Sequence, residues 1–258
     1  MKIIDYRIAA LLVITLCVFV GIFFIEPIAQ DDAYHLFADK RLLLGIPNFW
    51  DVASNGAYLF VGIYGIVVLF TSSKKNLVTE IKWVYYLFFI GVVMIGFGSA
   101  YYHLAPTNQT LLWDRLPMTI AFMAFFTIIL AEFVSIRFAK IVFPPLLLVG
   151  IYSVLYWQYS ELQGHGDLRL YGAVQFLPML LVPLILLMYK PSFDGKAWIW
   201  GLLGMYFIAK LLELYDRQIY EAAYMLSGHT LKHLVSAVGS YLFLLALRRR
   251  HSIPASPA

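Results

Sequence analysis

Three histidines, an aspartate and a serine stand at the ends of apolar stretches of this chain. They are Ser99 and His103 in Gly98-Ser99-Ala100-Tyr101-Tyr102-His103, Asp114 in Trp113-Asp114-Arg115, and His229 and His233 in His229-Thr230-Leu231-Lys232-His233. Imidazoles, a carboxylate and a hydroxyl are the components of a hydrolytic zinc site. Ionisable groups close to a bilayer core are costly and usually mark function. His229 and His233 are four residues apart, so on a helix they share one face and can hold a single ion. No glutamate lies between them, as it does in the H-E-x-x-H of zinc proteases, so a base must come from elsewhere. His103 is the third candidate ligand, with Ser99 on its own helix face and Asp114 across a short loop. Each piece has a plainer reading. A lone histidine pair is more often a satisfied core or surface pair, Ser99 can be a packing residue beside Gly96 and Gly98, and Asp114 can pair with Arg115. The combination favours one site.

The elements that carry these residues must be membrane helices. Of 258 residues, 62% are hydrophobic and 13% charged, and the mean hydropathy is +0.78; a soluble domain carries about 25% charge. Runs of about 20 apolar residues predict spans at 8–25, 50–70, 82–100, 116–133, 138–157, 171–189, 197–214 and 229–247. Pro117 suits the first turn of the fourth span, whereas Pro144, Pro145, Pro178 and Pro183 fall inside helices. The single cysteine, Cys17, rules out a disulfide framework. Lys2 and Arg7 before the first apolar run also fit a signal peptide, but the run is long and the residues after it make a poor cleavage site, so a retained anchor helix is expected. The tail after Arg250 reads as disordered.

Basic residues set the expected orientation. Lys2, Arg7, Lys74, Lys75, Lys82, Arg137, Lys140, Lys190, Lys196, Arg248, Arg249 and Arg250 fall on one side, against Lys40, Arg41, Arg115, Arg169 and Arg217 on the other. That bias predicts both termini in the cytoplasm, and all five site residues then lie toward the outer face. The formal charge of +4 is read as orientation, with no nucleic-acid partner. From Leu234 to Leu247 a helix would reach only about 21 Å against a core near 30 Å, so the last span must include His229 and His233.

Other polar residues rank lower. His165 reads as loop, and His35, among Asp31, Asp32 and Asp39, as a solvated loop rather than a second metal site. Lys210, Glu213, Asp216 and Arg217 are expected to pair or line a cavity, and Lys210 and Lys232 to snorkel outward.

With these residues in view, the chain resembles the alkaline ceramidases, within the CREST superfamily that includes adiponectin-type receptors, and is similar to a bacterial-type member. The matching pieces are Phe49-Trp50-Asp51-Val52-Ala53-Ser54-Asn55, Ser99-x3-His103, Trp113-Asp114 and His229-x3-His233. The resemblance implies an all-α polytopic bundle: an N-terminal anchor helix (1–30), an acidic segment (31–49), a seven-helix catalytic core (50–247) and a cytoplasmic tail (248–258). It also implies zinc on His103, His229 and His233, with Ser99 and Asp114 completing a site that cleaves the amide of a ceramide-like lipid, in a bacterial inner membrane. The family's calcium-binding segment has a tryptophan that is missing here, and Asn48 replaces a glutamate, so calcium stays open and its ligands do not transfer. Two rival functions remain at this point: a zinc-stabilised receptor or structural protein, and a transporter using the intramembrane charges.

Overall fold

The computed structural model describes residues 6–71 and 76–254; Lys2, Lys74 and Lys75 of the charge count lie outside them. The helices are α1 (Tyr6–Gly21), α2 (Phe49–Ala53), α3 (Gly56–Thr71), α4 (Lys82–Leu104), α5 (Asn108–Ile129), α6 (Ile136–Leu162), α7 (Arg169–Met188), α8 (Lys196–Leu214), α9 (Asp216–Ala223) and α10 (Gly228–Arg249). Among the described residues eight spans are long and apolar enough to cross a membrane, α2 and α3 together making one of them. The protein is an all-α, multi-pass membrane bundle. Its best-buried span is the one built on α5, which α4 and α6 flank, while α10 packs between α8 and α3.

Helix boundaries depart from the hydropathy reading chiefly at α5, which starts at Asn108 rather than near 116. Thr107 caps it: its Oγ1 accepts the Thr110 N–H, and the Thr110 hydroxyl accepts the Thr107 N–H. This reciprocal box satisfies two backbone donors that hydropathy does not register. Asp114 and Arg115 therefore sit within the helix. Pro117 lies in its interior, not in its first turn. Having no N–H, Pro117 leaves the Trp113 carbonyl without its helical partner. That carbonyl abuts Gly98 of α4 so closely that a methyl at Gly98 would lie 2.8 Å from the carbonyl carbon. Gly98 thus lets α4 and α5 approach at the level of Ser99 and Asp114.

The end of the bundle away from the histidines is closed by an ion pair. A π-helical turn, Leu130–Val134, follows α5 and presents Glu132. The Glu132 carboxylate accepts Arg250 Nη2 and Nη1 at 2.7 and 2.8 Å and the Tyr85 hydroxyl at 2.6 Å, all buried. Arg250 is therefore a buried structural residue rather than a free loop charge. Nor is the start of the tail disordered. The His251 carbonyl and the Ile253 N–H pair with the backbone of Asp194 and Ser192 at 2.9 Å each, because Arg250 anchors the chain beside that loop. Residues 255–258 lie outside the described part.

The segment between α1 and α2 folds back over the histidine end. The Asp216 carboxylate pins it by accepting the Ala38 N–H at 2.9 Å, while accepting the His229 N–H at the start of α10 at 2.7 Å.

Candidate metal and catalytic site

α10 begins at Gly228, so both of its histidines fall in its first two turns, as the span length requires. Ser227 caps the helix by accepting the Thr230 N–H at 3.0 Å. His103 approaches from the last turn of α4. The three rings are buried, with centroids 4.8–5.0 Å apart, and each offers a ligand atom within 4.8 Å of the others. Among the described residues, His103 Nδ1 and His229 Nε2 are buried without a hydrogen-bond partner. His233 Nδ1 meets Ser54 Oγ at 2.8 Å. The Ser54 hydroxyl donates to the Asp51 carbonyl at 3.2 Å, so it can accept the Nδ1–H of His233 and leave Nε2 as the free ligand atom. Orphaned imidazole nitrogens converging in a buried site are what a bound cation would satisfy, and the residues fit one.

Phe37 seals this cluster from the capping segment, its ring centroid 4.6 Å from His103 and 4.5 Å from His229. Behind α10, the buried Asp51 carboxylate accepts the Thr230 hydroxyl at 2.6 Å. Sequence reasoning gave no role to Asp51, Ser54 or Phe37. The first two lie in the Phe49–Asn55 motif quoted above; nothing in the sequence pointed to the third.

Ser99, Asp114 and His233 line one side of a cavity of about 700 Å³ that continues between apolar residues such as Phe88, Val92, Phe125 and Leu177. Ser99 of α4 and Asp114 of α5 are both buried on this wall. Hence the five residues singled out by type and spacing come together. Asp114 does not pair with Arg115, whose Nη2 instead donates to Gln30 Oε1 at 2.6 Å. Lys232 does not snorkel outward: its Nζ binds Glu213 Oε1 at 2.7 Å, and Lys210 Nζ binds Glu213 Oε2 at 2.6 Å. All three line the cavity.

His35 is not simply solvated; its ring nitrogens meet Tyr102 Oη at 2.8 Å and Asn108 Oδ1 at 3.0 Å. His165 lies in an exposed loop. Among the acidic residues of the capping segment, Asp39 is bound at both oxygens by Arg41, and Asp31 accepts the Ala33 N–H. Among the described residues the three histidines are the group of side chains placed to hold a metal ion.

A family model described as ceramidase matches residues 45–253, most of the chain. The chain belongs to the ceramidase family, and so to the hydrolases that act on the amide bond of ceramide. No curated protein matches its sequence closely enough to be compared with it.

Proposed function

We propose that this protein is a zinc-dependent amidase that cleaves a ceramide-like membrane lipid into a sphingoid-type amine and a fatty acid. The observation that carries this reading is a cluster of three buried histidines, two of them with an unpartnered ring nitrogen, beside Asp114 and Ser99 at one end of a largely apolar cavity. His103, His229 and His233 would hold the ion. Zinc bound in this way supplies a Lewis acid and lowers the pKa of water toward neutrality. Asp114 accepts the proton of the attacking water and delivers it to the departing amine nitrogen. Ser99 donates its hydroxyl hydrogen to the oxygen that gains charge as the carbonyl becomes tetrahedral. Ser54 and Asp216 are positioning residues: one fixes the ring of His233, the other the first turn of α10.

The apolar walls hold the acyl chain and keep bulk water from the reacting amide. Both termini are placed in the cytoplasm and the site toward the outer leaflet, a reading supported by the distribution of basic residues. The receptor reading would keep the metal without the chemistry. Asp114→Asn separates the two: it should retain stoichiometric zinc while hydrolysis of a short-chain ceramide by purified protein falls by about 10²-fold or more. Unchanged hydrolysis would remove Asp114 from the mechanism. The transporter reading has less support, because Glu213 pairs with both Lys210 and Lys232 on the cavity wall.

A further inference from the structure

The cavity carries charges that hydrolysis of a neutral lipid does not require. Arg115 is 6% exposed. Among the described residues its side chain hydrogen-bonds only to neutral Gln30, and its Nη1 has no partner. The guanidinium is held 4.2 Å from the Trp157 ring centroid, 4.8 Å from that of Tyr171 and 5.6 Å from that of Tyr34. Such a cage fixes a cation in place without neutralising it. Elsewhere on the cavity wall the single carboxylate of Glu213 serves two ammonium groups, Lys210 and Lys232. Arg169 is already paired with Asp167. The remaining lining cations, Arg115, Lys210 and Lys232, face the lining carboxylates Asp114 and Glu213. Any metal on the histidines adds further positive charge. Unbalanced cations at bilayer depth are expensive, and sites that keep them use them on a ligand. Guanidinium and ammonium groups together select phosphate and carboxylate oxygens.

We propose that the polar end of this cavity is a receptor for an anionic lipid group, phosphate or carboxylate, bound by Arg115 with Lys210 and Lys232. The group is either an acidic headgroup on the amide lipid or the carboxylate of the released fatty acid. This rests on the lipid-amidase reading only in taking the cavity to hold a lipid.

The test is equilibrium binding to the zinc-loaded full-length protein in nanodiscs of neutral lipid, followed by tryptophan fluorescence. Three probes share one acyl length: a neutral ceramide analogue with an uncleavable linkage in place of the amide, its 1-phosphate ester and the free fatty acid. At least one anion should bind about 10-fold more tightly than the neutral analogue, the value of one charge-assisted hydrogen bond. Preference for the phosphate ester assigns the headgroup, and preference for the fatty acid alone assigns the product. Arg115→Gln should bring that ratio close to one, and Lys210→Gln, at a half-exposed position, should lower it about 3-fold. If Arg115→Gln does not fold, Lys210→Gln decides. Equal binding of all three probes to the wild type, or an anion preference unchanged in the folded variants, overturns the proposal. Hydrolysis of a neutral ceramide with its amide intact is followed in parallel. Its absence, with anion preference intact, would sink the ceramide reading and leave this one standing.

Discussion

The contact between Gly98 and the Trp113 carbonyl makes the site depend on the absence of one methyl group. In Gly98→Ala the new carbon would lie 2.8 Å from Trp113 C, closer still to its oxygen, and 3.4 Å from Pro117 Cγ. Two of these atoms are backbone, and Pro117 stiffens the turn, so no side chain can swing aside. Relief requires α4 and α5 to part by roughly 1 Å, at an overpacking cost of about 1–3 kcal/mol. Ser99 and His103 ride on α4, and Asp114 follows Trp113 on α5. The same displacement therefore separates the proposed proton carrier from the ion and the hydroxyl. A misplacement of about 1 Å in a catalytic constellation costs on the order of 10²-fold in rate. Ceramide hydrolysis by purified Gly98→Ala should fall by that factor in kcat, with the melting temperature lowered and zinc content near stoichiometric. Gly204→Ala is the control. It is also inside a helix, but a methyl there meets nothing within 4 Å, so activity should hold and stability should rise by up to about 1 kcal/mol. Wild-type kcat and melting temperature in Gly98→Ala would refute the packing argument.

Replacing His229 and His233 together by Ala should abolish stoichiometric zinc, measured by elemental mass spectrometry on protein that still elutes as a folded species; retained metal would disprove the ligand assignment. Glu132→Ala leaves Arg250 buried without its carboxylate and should cost about 3–5 kcal/mol in thermal unfolding, whereas Glu132→Leu with Arg250→Leu should recover part of that loss. A double variant no more stable than the single one would argue against the pair. The Asp167 carboxyl is held below the usual carboxylate range, chiefly by the Arg169 side-chain hydrogen bond. Because its folded pKa is depressed, its stabilisation is present above about pH 4 and is lost as pH falls through the lower folded value. Asp167→Asn should therefore melt lower than wild type at pH 6, by a margin that shrinks as pH falls below about 4; a gap independent of pH would exclude the linkage.

Hydropathy made the spans legible because a 30 Å apolar core imposes both length and composition on every helix that crosses it. The same constraint placed His229 and His233 inside α10. The start of α5 was hidden because Asp114 and Arg115 look like loop residues to a hydropathy window. What keeps them helical is the Thr107–Thr110 box and burial by other elements. Ser54, 179 positions from the histidine it holds, and Phe37, packed on rings from two helices, are products of tertiary contact without local periodicity. Arg250 reads as a loop charge in the sequence for the same reason, since its partner Glu132 lies 118 residues away. Charge type is local information; charge pairing is not.

The capping segment has a kinetic consequence. With Phe37 packed over the histidines and Asp216 tying the segment to α10, the end of the bundle that would face water is roofed, while the cavity runs on between apolar side chains. On the proposed function, substrate would then arrive by two-dimensional diffusion, and saturation would follow its mole fraction in the bilayer rather than its bulk concentration. Adding inert lipid at constant total substrate should slow the reaction, and adding buffer should not.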